Sequence, residues 1–139
     1  MIRTRLGAAL LTTVVLALAP QASAAQANQT GSTRSVRDGV YTAEQAERGA
    51  QVNRESCASC HMQDRFTETL LQSWAGATAD MLYDLIRTTM PQDRPDGLSR
   101  QQYADLLAYI FQLNGLPPGE EELQASKQEL QKILIEQRQ

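Results

Sequence analysis

The feature that most constrains this chain is the run Cys57–His61, which reads C-A-S-C-H. It holds both cysteines and the single histidine of the 139-residue sequence. C-x-x-C-H is the pattern through which a c-type haem is attached. Two thiols at this spacing can reach the two vinyl groups on one porphyrin edge, and the next residue then lies under the iron. The run therefore predicts one covalent haem c, bound through Cys57 and Cys60, with His61 as the proximal iron ligand.

Other interpretations of the two cysteines need features that the sequence lacks. A structural zinc site generally takes four Cys or His ligands, so carboxylates would have to complete the set here. A thioredoxin-like C-x-x-C belongs to a βαβ unit, and no strand pattern is present. A disulfide between Cys57 and Cys60 would close a very small loop and stabilise little. A non-haem C-x-x-C redox protein stays an alternative that a colourless mature protein would indicate.

The first 24 residues are typical of a secretory signal peptide. Arg3 and Arg5 precede an apolar run, Leu6–Ala19, and residues 22–24 read A-S-A, a small-residue cleavage pattern. This predicts cleavage after Ala24 and export to the periplasm. A retained anchor is the alternative, but the run is shorter than the roughly 20 apolar residues that a spanning helix needs. No stable membrane anchor is therefore expected.

Removal of this segment leaves 11 basic and 16 acidic side chains, because residues 1–24 contain two arginines and no acidic residue. Binding to nucleic acid needs a basic face for the phosphates, so nucleic acid is not expected as a partner. A domain of this size buries a modest core and often depends on a disulfide, a metal or a cofactor. The predicted haem would meet that need.

The apolar residues recur at helical spacing, which predicts an all-α fold. Residues 25–40 are polar, without apolar periodicity, and are predicted to form a flexible linker. Thr42 and Gln45 match a capping box, which predicts a helix from about Ala43 to Ser56. Gly49 lies inside this helix, where glycine is unfavourable unless another element approaches closely. We therefore expect a helix crossing at Gly49.

A largely irregular stretch, residues 57–77, is predicted to separate the first helix from the second. Thr78 can cap the second helix, which continues to about Thr89 with apolar residues at helical spacing. Met90-Pro91 ends this helix, because the residue before a proline is pushed out of the helical region.

The clearest helix pattern begins at Ser99, which forms a second capping box with Gln102. Asn114-Gly115 supplies its C-terminal stop. The chain thus divides into a domain at residues 41–116 and a tail at residues 117–139, which we predict to be a tail helix. The tail can pack on its own domain or on a partner through a narrow apolar side that consists of Leu123, Leu130, Ile133 and Leu134.

The second axial ligand can be narrowed by elimination. His61 is the only histidine, and the only lysines lie in the tail, so a methionine or an open position remains. Met62 adjoins the proximal ligand, and Met81 lies near the apolar stripe of its helix. Met90 lies where the chain changes direction, and a loop-borne thioether there can point at the iron. Met90 is therefore the predicted distal ligand, with simple burial as the alternative.

Four stretches together carry a family resemblance: Tyr41–Gly49, Cys57–His61, Met90-Pro91 and Leu98–Glu122. Through them residues 41–135 resemble the class I c-type cytochromes. They are similar to the small bacterial single-haem cytochromes and to cytochrome domains that accept electrons from periplasmic dehydrogenases. The resemblance implies a small helical cytochrome c fold around one haem, with redox proteins as partners.

The resemblance also carries expectations for individual residues. It implies that Gly49 packs against Tyr109 or its neighbours, where the N-terminal and C-terminal helices of the family cross. It implies that Met90 is the distal ligand. The segment between His61 and Met90 is short for the class, which predicts either a reduced loop or a different distal ligand.

These expectations favour an electron carrier over an enzyme. A haem iron with two axial protein ligands has no open position for a substrate, and the sequence offers no second histidine, glycine-rich phosphate loop or third cysteine. One alternative is a haem c subunit of a periplasmic dehydrogenase complex. Another is a five-coordinate haem that binds a gas or turns over peroxide, which requires that Met90 does not ligate.

Overall fold

Two helices of 14 residues each cross at the centre of this protein. The computed structural model describes residues 33–67 and 69–136; the predicted signal peptide, 1–24, and the first part of the predicted linker, 25–32, lie outside them. Helices make up nearly all the regular structure of the described part, which confirms the all-α class. The elements in chain order are β1 (Arg34–Ser35), α1 (Ala43–Ser56), a 3-10 helix (Gln63–Phe66), α2 (Thr69–Ser73), α3 (Ala79–Thr89), α4 (Arg100–Leu113), α5 (Lys127–Leu130) and β2 (Ile133–Leu134).

Helices α1 and α4 begin at the capping residues that the sequence predicts. The Thr42 hydroxyl accepts a hydrogen bond from the Gln45 backbone N–H at 3.1 Å. Ser99 and Gln102 form a complete capping box, in which each side chain accepts from the backbone N–H of the other residue. These bonds satisfy N–H groups that have no partner inside a helix. The predicted bounds of α1, Ala43–Ser56, are confirmed.

The crossing of α1 and α4 depends on Gly49. A Cβ atom built on Gly49 would overlap the backbone carbonyl of Asp105 and lie 2.8 Å from the Cβ of Tyr109. Only a residue without a side chain allows this approach of two helix backbones. The expected packing of Gly49 against Tyr109 and its neighbours is therefore confirmed. The buried face of α4 includes Leu107, Ile110 and Phe111.

Helix α3 has its predicted bounds, but it starts differently from the prediction. The Thr78 side chain makes no capping bond to the helix backbone. Its hydroxyl donates instead to the carboxylate of Asp80. The helix ends at Met90, an extended residue whose N–H donates to the Ile86 carbonyl at 2.8 Å.

The N-terminal segment differs from the predicted flexible linker over residues 33–40. Strand β1 pairs in parallel with β2, and Val36 and Val40 are fully or almost fully buried. Gly39 has a φ of 63° and packs backbone against backbone on Gly119, where a Cβ on either residue would clash. The polar composition concealed this order, because the pairing partner lies about a hundred residues further along the chain.

The tail also differs from the predicted helix. Only Lys127–Leu130 is helical, and the chain then forms β2. Leu123, Leu130 and Ile133 are buried, so most of the apolar side of the tail packs on its own domain. The tail then reaches the residues just before α3. There the Gly76 N–H donates to the Ile135 carbonyl, and the Ile135 N–H donates to the Ala77 carbonyl. The spacing of these apolar residues is compatible with a helix. In the structure the same residues are buried by tertiary contacts of a largely extended segment.

Two side chains of α1 hold the tail. Gln45 is fully buried; its amide donates to the Leu123 carbonyl at 2.9 Å and accepts from the Leu123 N–H at 2.7 Å. Arg48 forms ion pairs with Asp105 at 3.1 Å and with Glu122 at 2.8 Å. These carboxylates raise the pKa of the Arg48 guanidinium above its usual value. Helix α1, helix α4 and the tail are thus joined at one place.

Candidate haem site

The C-x-x-C-H run forms one tight turn at the end of α1. Cys57 ends the helix, and its N–H still donates to the Asn53 carbonyl at 2.9 Å. The Cys57 carbonyl then accepts from Cys60 N–H at 3.1 Å and from His61 N–H at 2.9 Å. Local backbone bonds therefore bring the two thiols and the imidazole to the same end of the helix.

The two thiols differ in their surroundings. Cys57 is buried, Cys60 is exposed, and both are free. Burial raises the pKa of the Cys57 thiol, because the thiolate loses its hydration. The Cys57 thiol therefore lies inside, beside the cavity, and the Cys60 thiol faces solvent.

His61 is held by an aromatic neighbour from the 3-10 helix. The rings of His61 and Phe66 meet edge to face, with centroids 5.8 Å apart and an interplanar angle of 71°. The Phe66 carbonyl in turn accepts a hydrogen bond of 2.7 Å from the side-chain amide of Asn114. Since Asn114 caps the C-terminal end of α4, the imidazole is linked to the central helix pair through two contacts.

A cavity of about 740 Å³ lies beside this turn. Cofactor pockets commonly have about 300–1,000 Å³ and mostly apolar walls. Besides the predicted ligand His61, Arg65 and Asp93 are the charged residues that line it. Its apolar walls come from the 3-10 helix, α2, α3 and α4, and consist of Phe66, Leu70, Leu82, Leu85, Ile86, Leu106 and Ile110.

Met90 lines the same cavity, at the end of α3. Its carbonyl accepts a hydrogen bond of 2.8 Å from the Tyr103 hydroxyl. The other two methionines of the described residues lie elsewhere: Met62 is 78% exposed, Met81 is 54% exposed, and neither lines the cavity. Of the methionines that elimination left open, only Met90 is therefore placed beside the cavity.

The donor set of this cavity fits a haem c. Two thiols, an imidazole and a thioether line one space whose remaining walls are largely apolar. An imidazole and a thioether are axial ligands of haem iron in cytochromes, and the apolar walls suit the porphyrin face. Cys57, Cys60, His61 and Met90, predicted separately from the sequence, are brought together in this one place.

The residues that support the predicted ligands cannot be identified from the sequence alone. Tyr103 lies among the apolar residues of α4, and this position does not indicate its bond to the Met90 carbonyl. The sequence indicates Asn114 only as a helix stop, although its side chain also donates to the Phe66 carbonyl. The first contact joins residues that are 13 positions apart and the second joins residues that are 48 positions apart, so no local pattern encodes them.

Within residues 33–67 and 69–136, no three His, Cys, Asp or Glu side chains are grouped so that they could hold a metal ion. In the same part of the chain, no helix has both the length and the apolar character needed to cross a membrane.

The helical fold, the C-x-x-C-H turn and the cavity beside it define a small c-type cytochrome. Residues 44–110 match the family model described as cytochrome c oxidase, cbb3-type, subunit III, and this match supports the same class. Proteins of this class carry covalent haem c, transfer electrons and have redox proteins as partners. Neither the comparison with curated proteins nor that with solved structures gives a significant match.

Proposed function

We propose that this protein is a periplasmic one-electron carrier whose single haem c is attached through Cys57 and Cys60. His61 and Met90 would be its axial ligands. The observation that carries the proposal is the convergence of these four side chains on one cavity with apolar walls. They come from two separate parts of the chain, the end of α1 and the end of α3.

The surrounding residues suit electron transfer at iron. A bound haem supplies the one-electron chemistry, and the protein sets its potential through ligands, burial and hydrogen bonds. A methionine ligand raises the reduction potential. Leu82, Leu106 and Ile110 are buried and give the cavity apolar walls, and an apolar environment around the iron favours the less charged ferrous state.

The rim of the cavity supports a brief encounter with redox partners. Cys60 is exposed, and Leu85, which also lines the cavity, is 45% exposed. An edge of the cofactor at this rim would be reached by a partner without any opening of the fold. Electron-transfer contacts are typically small and transient, which permits rapid exchange.

The periplasmic location rests on the N-terminal sequence and on the class of protein. Residues 1–24 have the charged, apolar and small-residue regions of a signal peptide. Covalent haem attachment at C-x-x-C-H is typical of exported cytochromes. Mass spectrometry of the purified holoprotein tests this, because cleavage after Ala24 predicts a mature N-terminus at Ala25.

Absorption spectra of the mature holoprotein, ferric and ferrous, test the proposed ligation. We expect a low-spin ferrous spectrum and, in the ferric state, the weak red band that a methionine sulfur gives. Met90→Ala should abolish that band and let carbon monoxide bind the ferrous iron, whereas the exposed Met81 allows Met81→Ala as a matched control without effect. A high-spin wild-type spectrum that shifts with carbon monoxide would refute the carrier and favour the five-coordinate alternative.

A second candidate is a haem c subunit of an oxidoreductase complex, such as a periplasmic dehydrogenase or a terminal oxidase. The matching family model is named for an oxidase subunit, which favours this possibility. Leu123, Leu130 and Ile133 of the tail are buried on their own domain, so docking would use another surface. Stoichiometric co-purification with a larger catalytic subunit would establish the complex; a monomeric holoprotein after mild extraction would favour the free carrier.

A further inference from the structure

We infer that Tyr103 is a positioning residue for Met90, and that its hydroxyl holds the Met90 thioether at the haem iron against competing ligands. This inference rests on the proposed His61 and Met90 ligation. It adds a role for a residue that bonds to the backbone of the proposed ligand. The hydrogen bonds of the segment between α3 and α4 support it.

The Tyr103 hydroxyl connects both ends of that segment. It donates to the Met90 carbonyl at 2.8 Å and lies 3.4 Å from the backbone N–H of Leu98, from which it accepts. One oxygen therefore joins the first residue after α3 to the residue before the Ser99 cap of α4. The first distance is typical of an O–H···O hydrogen bond, whereas the second is long for an N–H···O bond, so the bond to Met90 is the stronger of the two.

Tyr103 itself is well anchored. It lies in the first turn of α4, is 1% exposed, and meets the ring of Tyr83 edge to face at 6.2 Å. Helix α4 is fixed by its close crossing with α1 at Gly49. Because Tyr103 lies on this fixed helix, the hydrogen bond from its hydroxyl restrains the backbone of Met90.

A second tie closes the same segment at its base. Asp96 has a φ of 59°, and its N–H donates to the Arg87 carbonyl at 2.8 Å. Its carboxylate pairs with Arg87 at 3.2 Å and with Arg100 at 2.9 Å. These ion pairs are half exposed, so we expect them to contribute less than the buried hydroxyl.

The effect on ligation follows from conformational freedom. Met90 is extended, outside the helix, and is followed by an irregular segment. Freed from the tie, its backbone would sample more conformations, and fewer of them would place the sulfur at the iron. An external ligand would then compete more effectively for the same position.

The chain offers a closely matched control in Tyr83. Its hydroxyl donates to the Arg100 carbonyl at 3.1 Å and so also joins α3 to α4. It belongs to the same aromatic pair, but it does not contact Met90 or Leu98 through a bond of this kind. Tyr83→Phe and Tyr103→Phe therefore each remove one tyrosine hydroxyl that joins α4 to another segment. Only the hydroxyl of Tyr103 is bonded to the proposed ligand Met90.

The test is a titration of the ferric holoprotein with imidazole, which displaces a methionine ligand and changes the absorption spectrum. Tyr103→Phe should bind imidazole roughly three- to tenfold more tightly than the wild type, the range expected for loss of one buried hydrogen bond. Asp96→Asn keeps a residue that tolerates a positive φ and should shift the affinity in the same direction by less. Tyr83→Phe should match the wild type.

The outcomes separate this inference from the proposed ligation. A wild type with the red methionine band, and equal imidazole affinities for Tyr103→Phe and Tyr83→Phe, would refute the role of Tyr103 alone. A wild type without that band would refute the ligation and the inference together. If Tyr103→Phe does not load haem, an unchanged affinity in Asp96→Asn would still contradict the proposed restraint of the segment.

Discussion

Gly49 of α1 and Asp105 of α4 lie so close that a methyl group on Gly49 would overlap the backbone carbonyl of Asp105. This contact sets the separation of the two helices on which the haem site depends. Helix α1 ends in the C-x-x-C-H turn, and α4 supplies Leu106 and Ile110 to the cavity wall. A change in the separation of the two helices would therefore alter the geometry of the site as well as the packing of the core.

The first prediction is that Gly49→Ala destabilises the holoprotein by at least about 1–3 kcal/mol, the usual cost of overpacking. Alanine is the better helix former by up to about 1 kcal/mol, so a loss would show that packing outweighs propensity. Unfolding in guanidinium, followed by far-ultraviolet circular dichroism, measures this. Glu47→Ala, on the exposed side of α1, is the control and should change stability by less than about 0.5 kcal/mol. An alanine variant as stable as the wild type would contradict the crossing.

The second prediction concerns the attachment of the tail through Gln45. Gln45→Met keeps the length of the side chain but leaves the Leu123 N–H and carbonyl without their partner. Each unsatisfied buried group costs about 1–3 kcal/mol, so we expect the two together to cost about 2–6 kcal/mol. Limited proteolysis should also cut the tail faster, because residues 117–136 would detach more often than in the wild type.

Gln51→Met is the matched control for this substitution. Gln51 is exposed on the same helix, and its amide donates to Glu55 on the surface at 2.8 Å. It should alter neither stability nor cleavage by a comparable amount. Equal effects of the two substitutions would show that the Gln45 bonds do not hold the tail.

Local signals in the sequence were sufficient for the three long helices. The capping residues Thr42 and Ser99, the break at Met90-Pro91 and the costly Gly49 each reflect a constraint within a few residues. The C-x-x-C-H run is equally local, because its turn is closed by bonds to Cys57. The helices and the core of the candidate site could therefore be predicted.

The terminal segments could not be predicted in the same way. Arg34 pairs with Ile133, and Gln45 bonds to Leu123, so order in each segment depends on a distant partner. Strands of two residues are too short to show an alternation of apolar and polar residues. The polar residues before Val36 indicate a linker instead. The bond from Tyr103 to Met90 was missed for the same reason, since an aromatic residue in an apolar stripe does not reveal where its hydroxyl points.

The third prediction concerns the thioether bonds. Acidified butanone should extract no haem from the wild type, because both links are covalent. Cys57→Ser and Cys60→Ser should each keep one bond, and the pyridine haemochrome band should move to longer wavelength as one vinyl group stays free. The double variant should release its haem. Ser59→Ala preserves C-x-x-C-H and serves as the control; extraction of haem from the wild type would contradict covalent attachment.

The last prediction concerns Asn114, whose amide donates to the carbonyls of Phe66 and Ile110 at 2.7 Å each. Asn114→Asp has almost the same shape, but an ionised carboxylate cannot donate and would face two carbonyl oxygens. The folded state therefore disfavours the charged form, which raises the pKa of the new carboxyl above its unfolded value. Its neutral form can restore one donor, so the loss of stability should be largest above the raised pKa and should shrink as the pH falls.

Denaturant unfolding of the wild type and the Asn114→Asp variant across the acid range measures this difference, with an expected loss of about 2–4 kcal/mol at neutral pH. Gln112→Glu introduces the same charge on the exposed face of α4 and should show neither the loss nor its recovery. A deficit that does not depend on pH would mean that shape, rather than the two donated bonds, determines the contribution of Asn114. A full deficit together with a weakened dichroism of the haem Soret band would show that the contact also orients Phe66 against His61.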